Sequence, residues 1–128
     1  MRLAAASTAI AATTAVMLFG AATTAHAANG IVNAQNNTGF VQYIDSGDKV
    51  KVCDTKKNDD GVIGWIAVRQ SDGKYKNYPR IYAGGAGKCV TKTQDVTPEN
   101  TSIILTACSV SGAKGTPYSC GSKIIKGS

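Results

Sequence analysis

Three tyrosines and three basic residues crowd the ten positions 73–82, GKYKNYPRIY. In an extended chain alternate side chains share a face, which predicts Lys76, Tyr78, Arg80 and Tyr82 pointing one way and Tyr75, Asn77, Pro79 and Ile81 the other. Such a face can hold phosphate or carboxylate groups on its cations while a sugar or base stacks on its rings. Lys49 and Lys51, which alternate with valine in KVKVC, are candidates to extend it. The same pattern also suits protection of a sheet edge: charges discourage strand-to-strand aggregation, and Pro79 lacks the N–H that a central ladder needs. Both accounts stay open at the level of sequence.

Other chemistries are easier to close. The only histidine, His26, lies within the first 27 residues, which read as a cleaved leader. Serine and cysteine triads and histidine-based ribonucleases need an imidazole base, so a chain beginning at Ala28 supports none of them. The four cysteines are expected to be oxidised, which removes any thiolate nucleophile. Glu99 is the only glutamate, and it sits in a Pro-Glu-Asn turn that suits a two-carboxylate glycosidase poorly. The acidic loops DSGD (45–48) and DTKKNDD (54–60) bring together oxygen donors of the kind calcium takes. The second, however, carries Lys56 and Lys57, and neither has EF-hand spacing; Asx turns account for the same residues. No enzyme activity, catalytic residue, metal or cofactor is expected.

Met1-Arg2 is followed by a run from Leu3 to Ala25 without a charged residue, most apolar at AVMLF (15–19), and then by Ala25-His26-Ala27. A positive start, an apolar middle and a small-x-small site predict a secretory signal peptide over residues 1–27 and a released, extracellular product. A membrane anchor needs about 20 predominantly apolar residues, whereas six serines and threonines interrupt this run. Cleavage would leave 13 Lys and Arg against 8 Asp and Glu, a net charge of +5 where the whole chain has +6. That balance favours anionic surroundings through long-range attraction, and it also serves plain solubility.

A domain of this size buries a limited fraction of its surface, so covalent help is expected. Cys53, Cys89, Cys108 and Cys120 are an even set in an exported chain and read as two disulfides. Zinc fits badly, because their spacings of 36, 19 and 12 hold no C-x2-C pair. Four cysteines permit three pairings. Local geometry favours Cys108 with Cys120, which flank the turn-rich segment SGAKGTP (111–117) and can meet across a hairpin; Cys53 is then left with Cys89.

The elements that must carry these residues are short and β-prone. Residues 28–38, polar and amide-rich, are expected to form a loose N-terminal arm, followed by one β domain over 39–128. Phe40–Ile44 and Lys49–Cys53 are strands around the DSGD turn, with the valines of the second facing a core. Lys56–Gly61 reads as a hairpin loop, and Val62–Val68, apolar on both faces, as a central strand. Ser71–Gly73 turns the chain into the tyrosine-rich stretch. Ala83–Gly87 is expected to be a mobile loop, and Ser102–Val110 and Tyr118–Ile125 are the last strands. Six or seven short strands at this spacing predict an all-β fold, an antiparallel sandwich or small barrel.

GDKVKVCD (47–54), DGV (60–62), and Ala107-Cys108 with GTPYSCG (115–121) resemble the small secreted two-disulfide β-proteins of actinobacteria such as streptomycetes. The resemblance spans roughly residues 39–125. It implies an extracellular location, a β architecture, and pairing of first with second and third with fourth cysteine; it implies no catalytic residues and does not include Tyr75–Tyr82. The expectation is a monomeric, non-enzymatic binding protein whose partner is an anionic cell-wall glycopolymer, a polysaccharide or a protein. Nucleic acid is disfavoured because no RNP-like motif accompanies the tyrosines. The alternative is an inhibitor or toxin-like effector presenting a disulfide-held loop, Ser111–Pro117 or Tyr82–Lys88, since a stiffened loop loses less entropy on docking.

Overall fold

Strand alternation builds both layers of the fold. In KVKVC the valines are wholly buried and the lysines turn outward, and the same period recurs over residues Gly39–Ile44. The computed structural model describes residues 29–126, and every regular element among them is a strand. In chain order these are β1 (Gly30–Asn33), β2 (Gly39–Ile44), β3 (Lys49–Asp54), β4 (Gly61–Arg69), β5 (Tyr75–Asn77), β6 (Ile81–Ala83), β7 (Cys89–Thr93), β8 (Ser102–Val110) and β9 (Tyr118–Lys126). The expected leader, residues 1–27, lies outside the described residues.

One antiparallel sheet has the order β1-β2-β3-β7. In the other, β4 is flanked by β5 and β6 on one side and by β8 on the other, with β9 beyond β8. The two sheets face each other over a core of Val41, Tyr43, Val50 and Val52 from the first and Ile66, Ile81, Ile103 and Leu105 from the second. The all-β sandwich expected from the spacing is therefore present, as are both disulfides, Cys53–Cys89 and Cys108–Cys120. Each bridge joins neighbouring strands of one sheet: β3 to β7 across a paired position, and β8 to β9 beside a bulge near Ala107 and Ser109. Neither links the layers.

Four local expectations are corrected. The segment expected to be a loose arm carries β1, paired residue for residue with β2 from Gly30↔Tyr43 to Asn33↔Phe40, and its Ala34 and Thr38 are buried. Its amides serve contacts: Asn36 Oδ1 accepts from Ser109 Oγ at 2.7 Å and from Thr38 Oγ1 at 2.9 Å, tying the turn to β8. Residues 55–60 cross between the sheets instead of closing a hairpin, because β4 takes β5, β6 and β8 as neighbours and leaves β3 in the other layer. The glycine-rich loop after β6 is tethered: Gly85 N–H donates to the buried Asp54 carboxylate at 3.0 Å, and Gly87 N–H to the Asp54 carbonyl at 2.8 Å. Nine strands replace six or seven, chiefly because of β1 and the division of the tyrosine-rich stretch into β5 and β6.

One buried polar knot fixes the start of the crossing from β7 to β8. Tyr43, wholly buried, donates its hydroxyl to Asp48 Oδ1 at 2.7 Å, while Asp48 Oδ2 accepts from Val96 N–H at 3.1 Å and the Asp48 carbonyl from Gln94 N–H at 2.8 Å. The β2–β3 turn thereby holds the segment that leads from β7 to β8. Burial first, and then the Asp48 carboxylate, keep the Tyr43 phenol well above its usual titration range.

A phenol with a higher pKa folded than unfolded keeps its proton longer in the native state. Its stabilising contribution is whole below about pH 10 and is lost as the pH rises beyond that, by about 1.4 kcal/mol per unit. Tyr43→Phe is expected to cost about 1.5–3 kcal/mol at neutral pH. It should also make the decline above about pH 10 correspondingly shallower, read by urea unfolding of both proteins across that range.

Loop closure ranks the bridges. On the chain-entropy relation, removing the 36-residue link by Cys53→Ser with Cys89→Ser should cost about 4 kcal/mol, and removing the 12-residue link by Cys108→Ser with Cys120→Ser about 3 kcal/mol. Denaturant midpoints in the reverse order would contradict that ranking.

Candidate functional site

The tyrosine-rich stretch lies at a sheet edge, as Pro79 required: β5 and β6 pair with β4 alone. Tyr75, Lys76 and Asn77 pair with Arg69, Val68 and Ala67, whereas Ile81, Tyr82 and Ala83 pair with Gly64, Ile63 and Val62. Extending the first register would set Ile81 against Ile63, so the chain accommodates one extra residue between Asn77 and Ile81. A slip of one residue sends every later side chain to the other face. The single face expected for Lys76, Tyr78, Arg80 and Tyr82 is accordingly divided in two.

The first half turns toward the core side. Tyr78 keeps the first register through its N–H, donated to the Ile66 carbonyl at 2.9 Å, and its ring packs against the main core. Its hydroxyl donates to the Asp95 carbonyl at 2.8 Å and accepts from Thr97 N–H at 3.3 Å. Tyr78 is thus a strut for the β7–β8 connection. Lys76 is exposed, with Nζ 5.9 Å from the Tyr78 ring centre, above a cleft of about 260 Å³ that Asp95 also lines.

The second half turns outward. Tyr82 packs with Ile63, Trp65, Cys108 and Val110 in a small cluster on the outer face of the second sheet. The Arg80 guanidinium lies over the Trp65 ring, 4.4 Å from its centre, a stacking that holds the planar fork in place and is worth about 0.5–1 kcal/mol at an exposed site. Where the β6 edge meets the β7 edge, a groove of about 550 Å³ opens, lined by Ile63, Arg80, Tyr82, Val90, Lys92, Ala113, Lys114 and Gly115. Three elements each contribute a cation: Arg80 just before β6, Lys92 from β7, and Lys114 from the loop closed by Cys108–Cys120. No acidic side chain among the described residues lines the groove.

Lys49 and Lys51 do not join it. They stand on the outer face of the first sheet, beside Thr93 and Thr91 of β7, with the buried Val50 and Val52 between them and the core. The 111–117 loop is a tight turn in which Gly115 N–H donates to the Gly112 carbonyl at 3.1 Å, and it serves as a wall of the groove. Sequence reasoning missed three contributors. Trp65 lies in a strand apolar on both faces, a pattern that does not show which side it takes, and it is only half-buried. Lys92 alternates with Val90 in CVTKT, and Lys114 is the only charged residue between Cys108 and Cys120; both signals were legible but unremarkable.

Three of the carboxylates are occupied elsewhere. Asp48 serves Tyr43 and Val96, and Asp54 serves Gly85 and Lys56 through their N–H groups. Asp60 accepts from the Tyr118 hydroxyl, a bond that raises the phenol's pKa. Against protein-family models, curated proteins and solved structures, the chain finds no significant match. The groove's own geometry therefore carries the functional reading.

Trp65 is the only tryptophan of the chain, so its emission reports the stack alone. Arg80→Ala is expected to shift that emission to the red and change it in intensity, with a loss of stability no larger than about 1 kcal/mol. Arg80→Lys, which keeps the charge without the planar fork, should behave like the alanine variant. An unchanged spectrum in both would show that the guanidinium does not cover the ring.

Proposed function

We propose that the protein is an exported, non-enzymatic binding module that holds an anionic ligand in the groove between β6, β7 and the β8–β9 loop. The convergence of Arg80, Lys92 and Lys114 beside Tyr82, with no carboxylate to neutralise them, carries this reading. Cations from three separate elements sharing one concavity repel one another unless an anion sits among them, and concave walls concentrate that field. Tyr82 gives the ligand an apolar surface and a hydroxyl, and Arg80, already fixed on Trp65, presents paired N–H donors to an oxyanion.

Export is supported by the leader-like sequence of residues 1–27 and by two disulfides, which persist in oxidising compartments. Among the described residues no helix is long and apolar enough to cross a membrane. The absence of histidine from residues 28–128, together with the structural employment of Asp48, Asp54 and Asp60, favours binding over catalysis.

Binding of a polyanion, heparin for example, by calorimetry tests the proposal. Replacing Arg80, Lys92 or Lys114 by alanine should weaken it about fivefold each and about a hundredfold together, corresponding to roughly 1 kcal/mol per exposed cation. Added salt should weaken the parent interaction further. Lys49→Ala with Lys51→Ala, on the other face of the sheet that contributes Lys92, should change it less than twofold. Equal losses from the two sets of substitutions would reduce the interaction to net charge and remove the groove as a site.

A further inference from the structure

We infer that the ligand is an acidic polysaccharide whose chain leaves the groove and crosses the outer face of the second sheet; this rests on the groove reading and names its substrate class. The register sets Trp65 against Thr106 and Thr106 against Ser122, and in the next row Ala67 against Ile104 and Ile104 against Ile124. These residues share the outer face, since their neighbours Ile66, Ile103 and Leu105 fill the core. Ile124 is 65 % exposed, and Ile104 and Trp65 are half-buried. Ser122 is exposed, its hydroxyl placed 3.1 Å from Thr106 Oγ1.

The path adjoins the groove through Arg80, which lines the groove and lies over Trp65 at the start of the row. Three inter-strand steps from β6 to β9 span about 14 Å at the usual strand spacing, enough for several sugar rings. A sugar ring has an apolar C–H face and hydroxyls around its rim. A flat apolar row beside an oriented hydroxyl answers that chemistry better than it answers an acidic peptide, which would need a cation at each step. The charge agrees: no strand of this sheet contains Asp or Glu, and Arg69 and Lys126 flank the path at its far border.

Polygalacturonate, digalacturonate and polyglutamate of matched charge density, titrated at one low ionic strength, test this. Ile124→Asp, and separately Ser122→Glu, should weaken polygalacturonate about tenfold, leave digalacturonate within twofold, and keep the parent's circular-dichroism spectrum. Thr91→Asp on the other sheet, an equal change of charge, should leave both sugars within twofold. Polyglutamate should bind at least tenfold more weakly than polygalacturonate. Unchanged polygalacturonate affinity in both path variants, or polyglutamate binding as tightly, overturns the polysaccharide path while the groove stands. Arg80→Ala with Lys114→Ala leaving both sugars unaffected overturns the groove reading itself.

Discussion

One residue too many between Asn77 and Ile81 governs how the edge of this sandwich is used. β4 is buried on its core side along its whole length, and any neighbour must match it in phase. A strand of regular pleat at 74–82 would have set Tyr78, Arg80 and Tyr82 side by side, and Ile81, now wholly buried against Gly64, would have been turned out. Returning Ile81 and Ala83 to the core stabilises the fold by roughly the transfer free energy of a buried aliphatic side chain, about 1.5–3 kcal/mol for isoleucine. The extra residue permits that return, and Pro79, which has no N–H to leave unsatisfied, sits where the ladder breaks. The outward placement of Tyr82 and Arg80 follows from this packing requirement.

The layers are joined by means other than the covalent ones. Both disulfides act within a sheet, holding the end of β7 and the β8–β9 hairpin at fixed positions, and so they set two walls of the groove. Between the sheets, the work falls to the aliphatic core and to a few buried polar ties. Chief among these are Tyr43 with Asp48 and Val96, and Asn36 with Ser109. Close approach adds a constraint: a β-carbon at Gly64 would lie 2.1 Å from Val41 Cγ2, so the two sheets meet there at a distance only glycine permits. The rigidity of the groove therefore depends on short-range complementarity across the layers as much as on the bridges.

How much of this was legible in the sequence varied with the range of the interaction. Local alternation placed the valines of β3, the centrality of β4 and the edge character of Pro79, because each depends on residues within one strand. Even the bridges followed, Cys108–Cys120 from hairpin proximity and Cys53–Cys89 as the pair that remained. What failed was long-range. β1 lies in a polar segment whose pairing is supplied by β2, not by its own propensity. The tether of the glycine-rich loop depends on Asp54, about thirty residues earlier. The site was half legible: Arg80 and Tyr82 belong to it by type, but the slip that separates them from Lys76 and Tyr78 is a property of β4's register. Lys92 and Lys114 reach the groove only through the closure of the two sheets.

The two readings of the tyrosine-rich stretch, edge protection and binding, can be weighed in physical terms. Lys76 and the three-residue β5 answer the needs of an exposed edge: a charge, a short ladder and a proline beyond it. Arg80 does not fit that role, since its guanidinium is drawn over Trp65 toward the sheet face and away from the open ladder. Edge protection would be served equally by a solvated lysine there. Nor does solubility explain three cations in one concavity that no acidic side chain among the described residues lines. At about 10 Å in water each like-charged pair costs about 0.4 kcal/mol, a small penalty that the fold can carry and that an anion relieves. A ligand that takes up that relief and binds the native state alone would stabilise it by linkage.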